Sequence, residues 1–187
     1  MGPARILVVG DSLSAEYGLP PGSGWVALLE QKLAQEKIPA QVMNASISGD
    51  TSAGGASRLA PLLAQQHPSV VIIELGSNDA LRGLALAETE KNLEQMARAA
   101  QATGARVLLA GMQMPPNYGR DYSAQFAQTF AHAAQQTHAL LLPFLLKGVA
   151  DAPNAQELFQ ADRLHPIAAA HPTILANVWP YVKKMLR

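Results

Sequence analysis

The chain has no cysteine among its 187 residues, which rules out disulfides, thiolate metal sites and cysteine nucleophiles. Aromatic residues make up only 5% of it, leaving few rings to stack on sugars or bases. Charge is sparse at 15% and balanced, with 14 Lys+Arg against 14 Asp+Glu, so no basic field draws nucleic acid or anionic lipid. No apolar run reaches the roughly 20 residues of a membrane span. The nearest, Leu140-Leu141-Leu142-Pro143-Phe144-Leu145-Leu146, is short and broken by proline, so stable membrane insertion is not expected. The start, Met1-Gly2-Pro3-Ala4-Arg5, passes into a strand-like run within a few residues and shows no signal-peptide pattern. A processed secreted protein would read the same way, so these features choose no compartment. The remainder, 49% apolar, suits one globular domain over residues 1–187 acting on small neutral or apolar molecules.

Short apolar runs at Ile6–Val9, Val70–Leu75, Arg106–Ala110 and Leu140–Phe144, with a weaker one at Gln41–Asn44, lack in/out alternation. Strands covered on both faces require that pattern. Helical spacing appears at Trp25, Leu28, Leu29 and Leu33, with Ser23 as a candidate cap, and at Leu93, Met96, Ala97 and Ala100, with Gly104 as the stop. Residues 124–137 read as a third helix, and a fourth runs from about Pro172, with Pro180 expected to kink or break it. The alternation predicts an α/β fold: a three-layer, flavodoxin-like, mainly parallel five-stranded sheet with helices on both faces. In the flavodoxin-like order the first strand lies between the second and third, and their following loops meet over one crevice.

Three loops carry the chemistry. Gly10-Asp11-Ser12-Leu13 ends the first strand and would expose a serine at the crevice. Ser46-Ile47-Ser48-Gly49-Asp50-Thr51 follows the second strand, where Gly49 permits close approach of its amide. Gly76-Ser77-Asn78-Asp79 follows the third strand and offers a side-chain amide. Alone, each reads equally as turn chemistry. Together the Ser12 and Gly49 amides and Asn78 supply three donors around one point, as acyl transfer needs where a carbonyl oxygen gains charge. The missing base lies in Asp162-Arg163-Leu164-His165-Pro166. Imidazole takes a serine proton, and a carboxylate on its other nitrogen fixes the tautomer. A three-residue spacing lets one turn deliver both. Asp11 and Asp79 are expected to brace the loops. His67, His132, His138 and His171 are expected in surface or helix-face roles, and Arg82 and Arg120 as solvated charges or contacts to a phosphate-bearing group.

These blocks resemble those of the SGNH hydrolases, the GDSL esterases and lipases. By position Ser12 matches the nucleophile and an oxyanion amide, Gly49 an oxyanion amide, Asn78 the oxyanion side chain, His165 the base and Asp162 its acid. Residues 44–51, Leu81-Arg82-Gly83, Pro116-Asn117-Tyr118-Gly119 and Leu142-Pro143-Phe144 further resemble a bacterial group of acyl-CoA thioesterases, protease I, lysophospholipases and arylesterases. Glu16, Ser77 and Ala80 depart from it where glycine is common. The resemblance implies a serine hydrolase of carboxylic esters and thioesters, without cofactor or metal, in a group often periplasmic or secreted.

The loop holding Met112, Met114, Pro115 and Tyr118 is the candidate acyl-chain contact, since methionine adapts to irregular apolar shapes; simple core filling is the alternative. Two other functions remain open. A carbohydrate acetyl esterase would use the same triad, though aromatics for sugar stacking are few. A flavodoxin-like nucleotide-binding module would need neither Asn78 nor an Asp-x-x-His element.

Overall fold

The structure is a computed structural model that describes residues 2–187; Met1, part of the amino-terminal run read for a leader, lies outside them. Its strands are β1 (Ala4–Gly10), β2 (Ala40–Asn44), β3 (Val70–Glu74), β4 (Arg106–Ala110) and β5 (Leu140–Leu142). They lie in the order β2-β1-β3-β4-β5, and all four pairings are parallel. Burial grades outward from the middle. Every residue of β3 is buried, as are Ile6–Gly10 of β1, while edge strand β2 has no buried residue. The Val/Ile/Leu runs of β1, β3 and β4 belong to strands with a neighbour on each side, whereas the Leu run of β5 lies at the other edge and is buried only at Leu142.

The helices are α1 (Trp25–Gln35), α2 (Ser52–Gln66), α3 (Ser77–Leu81), α4 (Leu86–Ala102), α5 (Arg120–Thr137) and α6 (His171–Met185). The crossover from β1 to β2 runs one way along the sheet, and the later crossovers run the other way. Right-handed connections then put α1 on one face and α2, α4 and α5 on the opposite face. Packing agrees: α1 pairs with α6, while α2, α4 and α5 lie side by side in that order. Strand order reverses at β1 and β3, so the loops after these strands border the crevice where such sheets bind ligands.

Several expected details differ. Pro180 does not end α6, which runs on to Met185; Pro180 and Ala176 are both exposed, so water can satisfy the carbonyl that loses its partner. Ser23 does not cap α1. The cap position is Gly24, and the Ser23 hydroxyl instead donates to the Pro20 carbonyl at 2.6 Å. The last strand stops at Leu142, before Pro143, and the Asn78 segment is a short helix rather than an open turn. Among the described residues no helix is long and apolar enough to cross a membrane.

Candidate active site

Ser12 follows β1 and His165 precedes α6, yet the Ser12 hydroxyl lies 2.8 Å from Nε2 of His165. On the other side of the ring, Nδ1–H donates to Oδ2 of Asp162 at 2.5 Å. That carboxylate fixes the tautomer, leaving Nε2 with a lone pair directed at the serine. The turn is locally determined. Asp162 Oδ1 accepts the backbone N–H groups of Leu164 (3.0 Å) and His165 (3.1 Å), which leaves Oδ2 for the imidazole. Arg163 adopts a left-handed φ of 59° to close it. Burial alone would raise the Asp162 carboxyl. The bond from the His165 ring and the two N–H donors outweigh it and hold the group down at about 2.

The oxyanion candidates gather from the other loops. Gly49 has φ +82°, a conformation side chains disfavour, and its carbonyl accepts Nη2 of Arg82 at 2.7 Å. Arg82 is thus engaged with the loop backbone. The Asn78 amide donates to the Asp50 carbonyl at 2.9 Å, with a longer contact of 3.4 Å to Asp11 Oδ2. Among the described residues the backbone N–H groups of Ser12 and Gly49 donate to no protein acceptor. Asp79 joins two loops to α4: it accepts Ser52 N–H (2.8 Å), the Ser52 hydroxyl (2.5 Å) and the Thr89 hydroxyl (2.8 Å).

The acyl-chain candidates separate. Met112 and Met114 are buried and belong to the hydrophobic core, Pro115 is half-buried, and Tyr118 is exposed. Glu16 has φ 60°, which accounts for glycine being suited to its position, and its carboxylate accepts the N–H of Gly24 at 2.7 Å.

His171 does not take the surface role expected of it. It is buried, and its Nδ1 accepts the N–H of Trp25 at 2.9 Å, so the start of α6 is fastened to the start of α1. Burial pushes its imidazole down to about 4, against a smaller upward pull from Glu16. His67 and His138 cap helices in left-handed conformations, and His132 approaches Glu90 at 3.2 Å.

Two positions escaped the sequence reading. Gln160 donates from Nε2 to the carbonyls of Tyr17 (2.9 Å) and Pro166 (3.1 Å), tying the base turn to the nucleophile loop, where the Tyr17 ring lies 4.4 Å from that of His165. Glu74, hidden at the end of an apolar strand, is fully buried and accepts the Ser14 hydroxyl at 2.6 Å. A polar residue closing an apolar run was the available signal for Glu74; Gln160 gave none.

Similarity decides the family. Residues 8–172 match the model of the GDSL-like lipase/acylhydrolase family. The chain belongs to this family. It is 52% identical over 181 residues to the esterase TesA of Pseudomonas aeruginosa, covering 97% of this chain and 89% of that one. It is 41% identical to thioesterase 1/protease 1/lysophospholipase L1 of Escherichia coli K12, over 90% of this chain and 78% of that protein. Among solved structures, the psychrotrophic esterase EstA from Pseudoalteromonas sp., inhibited by monoethylphosphonate, superposes with a TM-score of 0.90 at 41% identity, covering 97% of this chain and 98% of that one. The five-stranded parallel sheet and its helices are the SGNH hydrolase fold.

Proposed function

We propose that this chain hydrolyses carboxylic esters and thioesters of small acyl substrates through an acyl-enzyme on Ser12. Membership of an acylhydrolase family gives the reaction class, and relatives named esterase, arylesterase and thioesterase agree with it. The observation that carries the residue assignment is the continuous relay Asp162–His165–Ser12, with contacts of 2.5 and 2.8 Å. His165 accepts the Ser12 proton as Oγ attacks the carbonyl carbon. The N–H groups of Ser12 and Gly49 face the oxygen as it gains charge, joined by Asn78, whose long contact to Asp11 is the bond a substrate oxygen most easily replaces. The imidazolium then protonates the departing alcohol or thiol, and water repeats the sequence to release the acid.

Apolar substrate groups are supported by the surface. Among the described residues the exposed large hydrophobic side chains are Tyr17, Ile47, Leu81, Leu84, Tyr118 and Leu164. They lie on the segments that follow β1–β4, with Leu81 at the end of α3, or on the base turn. With Met112 and Met114 in the core, this rim, including Pro115 and Tyr118, is the surface offered to an acyl chain or aryl leaving group. A steady-state panel of matched oxygen and thiol esters of rising acyl length tests the reading. Turnover that rises with chain length before levelling supports it, and activity confined to acetylated sugars would favour the carbohydrate esterase instead.

A further inference from the structure

We propose that Glu74 is the proton-bearing member of a buried carboxyl pair and holds Asp11 as a fixed negative charge behind Ser12 and His165. Glu74 is 0% and Asp11 1% exposed, and the two meet where the Asp11 N–H donates to Glu74 Oε1 at 3.3 Å. Two ionised carboxylates in contact without water would repel strongly and lose their hydration, so the pair holds a proton.

The donor pattern assigns it. Both Asp11 oxygens meet donors: Oδ1 accepts the N–H of Leu13 at 2.9 Å, and Oδ2 faces Asn78 Nδ2 at 3.4 Å. Glu74 Oε1 accepts the Ser14 hydroxyl at 2.6 Å and the N–H of Asp11 at 3.3 Å. Glu74 Oε2 is buried and receives no N–H or O–H. An ionised oxygen without a donor is the costlier arrangement. A proton there removes the uncompensated buried charge and leaves Oε1 to accept from Ser14 and the Asp11 N–H. Burial and the Asp11 charge both push the Glu74 carboxyl well above its ordinary range, while burial, offset by hydrogen bonds, pushes Asp11 up to about 6, so Asp11 carries its charge at neutral pH and above.

The pair sits at the root of the nucleophile turn. A Cβ on Gly10 would come within 2.8 Å of both Glu74 Oε1 and Ser14 Oγ, inserting itself into their hydrogen bond. Ser14 is also fixed through its carbonyl by Asn44 Nδ2 at 2.8 Å, so the ends of β1, β2 and β3 converge on residues 11–14. The titratable groups facing Asp11 are Glu74 from β3, Asp50 from the loop after β2 and His165 from the base turn. Asp50 is paired with Arg58 at 2.8 Å, and His165 also faces Asp162 and the Tyr17 ring. Asp11 is thus a second negative charge felt by the imidazolium that forms when Ser12 loses its proton.

This assignment rests on His165 being the base. It is tested by the pH dependence of Ser12 phosphonylation by a fluorophosphonate in the wild type, Glu74→Gln and the double variant Glu74→Gln/Asp11→Asn. Glutamine keeps one acceptor and one donor, so E74Q should react within about tenfold of the wild-type rate with its acid limb in the same place, whereas losing the Asp11 charge should move that limb down by about half to one pH unit. A limb already displaced in E74Q would put the charge on Glu74 and overturn the assignment, as would coincident limbs for E74Q and the double variant. A wild type with no acid limb would instead remove the base reading itself. Should the variants fail to fold, carbon-13 NMR of the wild-type side-chain carboxyls decides. Glu74 should stay protonated at neutral pH, and an ionised Glu74 would contradict the proposal.

Discussion

The turn carrying Ser12 is held from below by buried groups remote in sequence, whereas the turn carrying His165 largely holds itself. Around Ser12, Glu74 reaches in from β3, Asn44 from β2 and Asn78 from α3, and removing one leaves a buried partner unsatisfied. Around His165, the Asx geometry of Asp162 is complete within four residues and half open to water. Besides the Ser12–His165 contact and the Tyr17 ring, Gln160 and His171 fasten the base side to the nucleophile side. In the proposed mechanism a nucleophile and its oxyanion donors must keep a fixed geometry, and the low dielectric beneath Ser12 suits that demand. The base needs only the right tautomer and reach.

Substitutions can break this comparison at graded cost. The largest loss should follow Ser12→Ala, with kcat falling by roughly 10⁵–10⁶-fold on an intact fold, as when a nucleophile is removed from other serine hydrolases. Measured turnover above that floor would point to another nucleophile. Next comes Asn78→Ala, with an expected loss of about 10²–10³-fold in kcat and little change in KM, because its donor serves charge that develops only in the transition state. Glu74→Leu should cost about 2–4 kcal/mol of unfolding free energy by chemical denaturation, since the Ser14 hydroxyl and Asp11 N–H lose a buried acceptor. Gln160→Ala, on the base side, should cost only about 1 kcal/mol, with a several-fold drop in kcat. Equal stability losses at the two positions would erase the contrast.

The halves should also respond to acid at different pH. The His171 imidazole sits at about 4 when folded and near 6.5 when unfolded, so between those values the unfolded chain binds the extra proton. His171 therefore lowers stability as pH drops from about 6.5 to 4, while Asp11, pushed up to about 6 by burial, raises it over the same window, so His171→Gln should hold its denaturation midpoint better than the wild type as pH falls through that range. Asp162 is lowered too, to about 2 against 3.8, but acts in a more acid window. Its contribution is present above about 4 and disappears as pH falls through 2. Wild type and His171→Gln keeping a constant midpoint difference between pH 6.5 and 4 would contradict the burial of neutral His171.

Strand order and the meeting of loops were legible because central parallel strands require continuous apolar residues and the crevice position follows from their order. The Asp-x-x-His element was legible for a local reason: three residues suffice for one carboxylate to bond both backbone and ring. Pro180 misled because a rule about helix interiors ignores which side faces water. The roles of Glu74 and Gln160 were not legible because their partners lie 60 and 143 residues away, although Glu74 stands out as a polar residue closing an apolar run. Met112 and Met114 read equally as binding or core residues, since apolar character does not say which way a loop turns.

Active-site labelling tests the relay most directly. A fluorophosphonate followed by peptide mapping should place one adduct on Ser12, with labelling lost in Ser12→Ala and strongly slowed in His165→Ala. An adduct on a different residue, or undiminished labelling without the imidazole, would contradict the account.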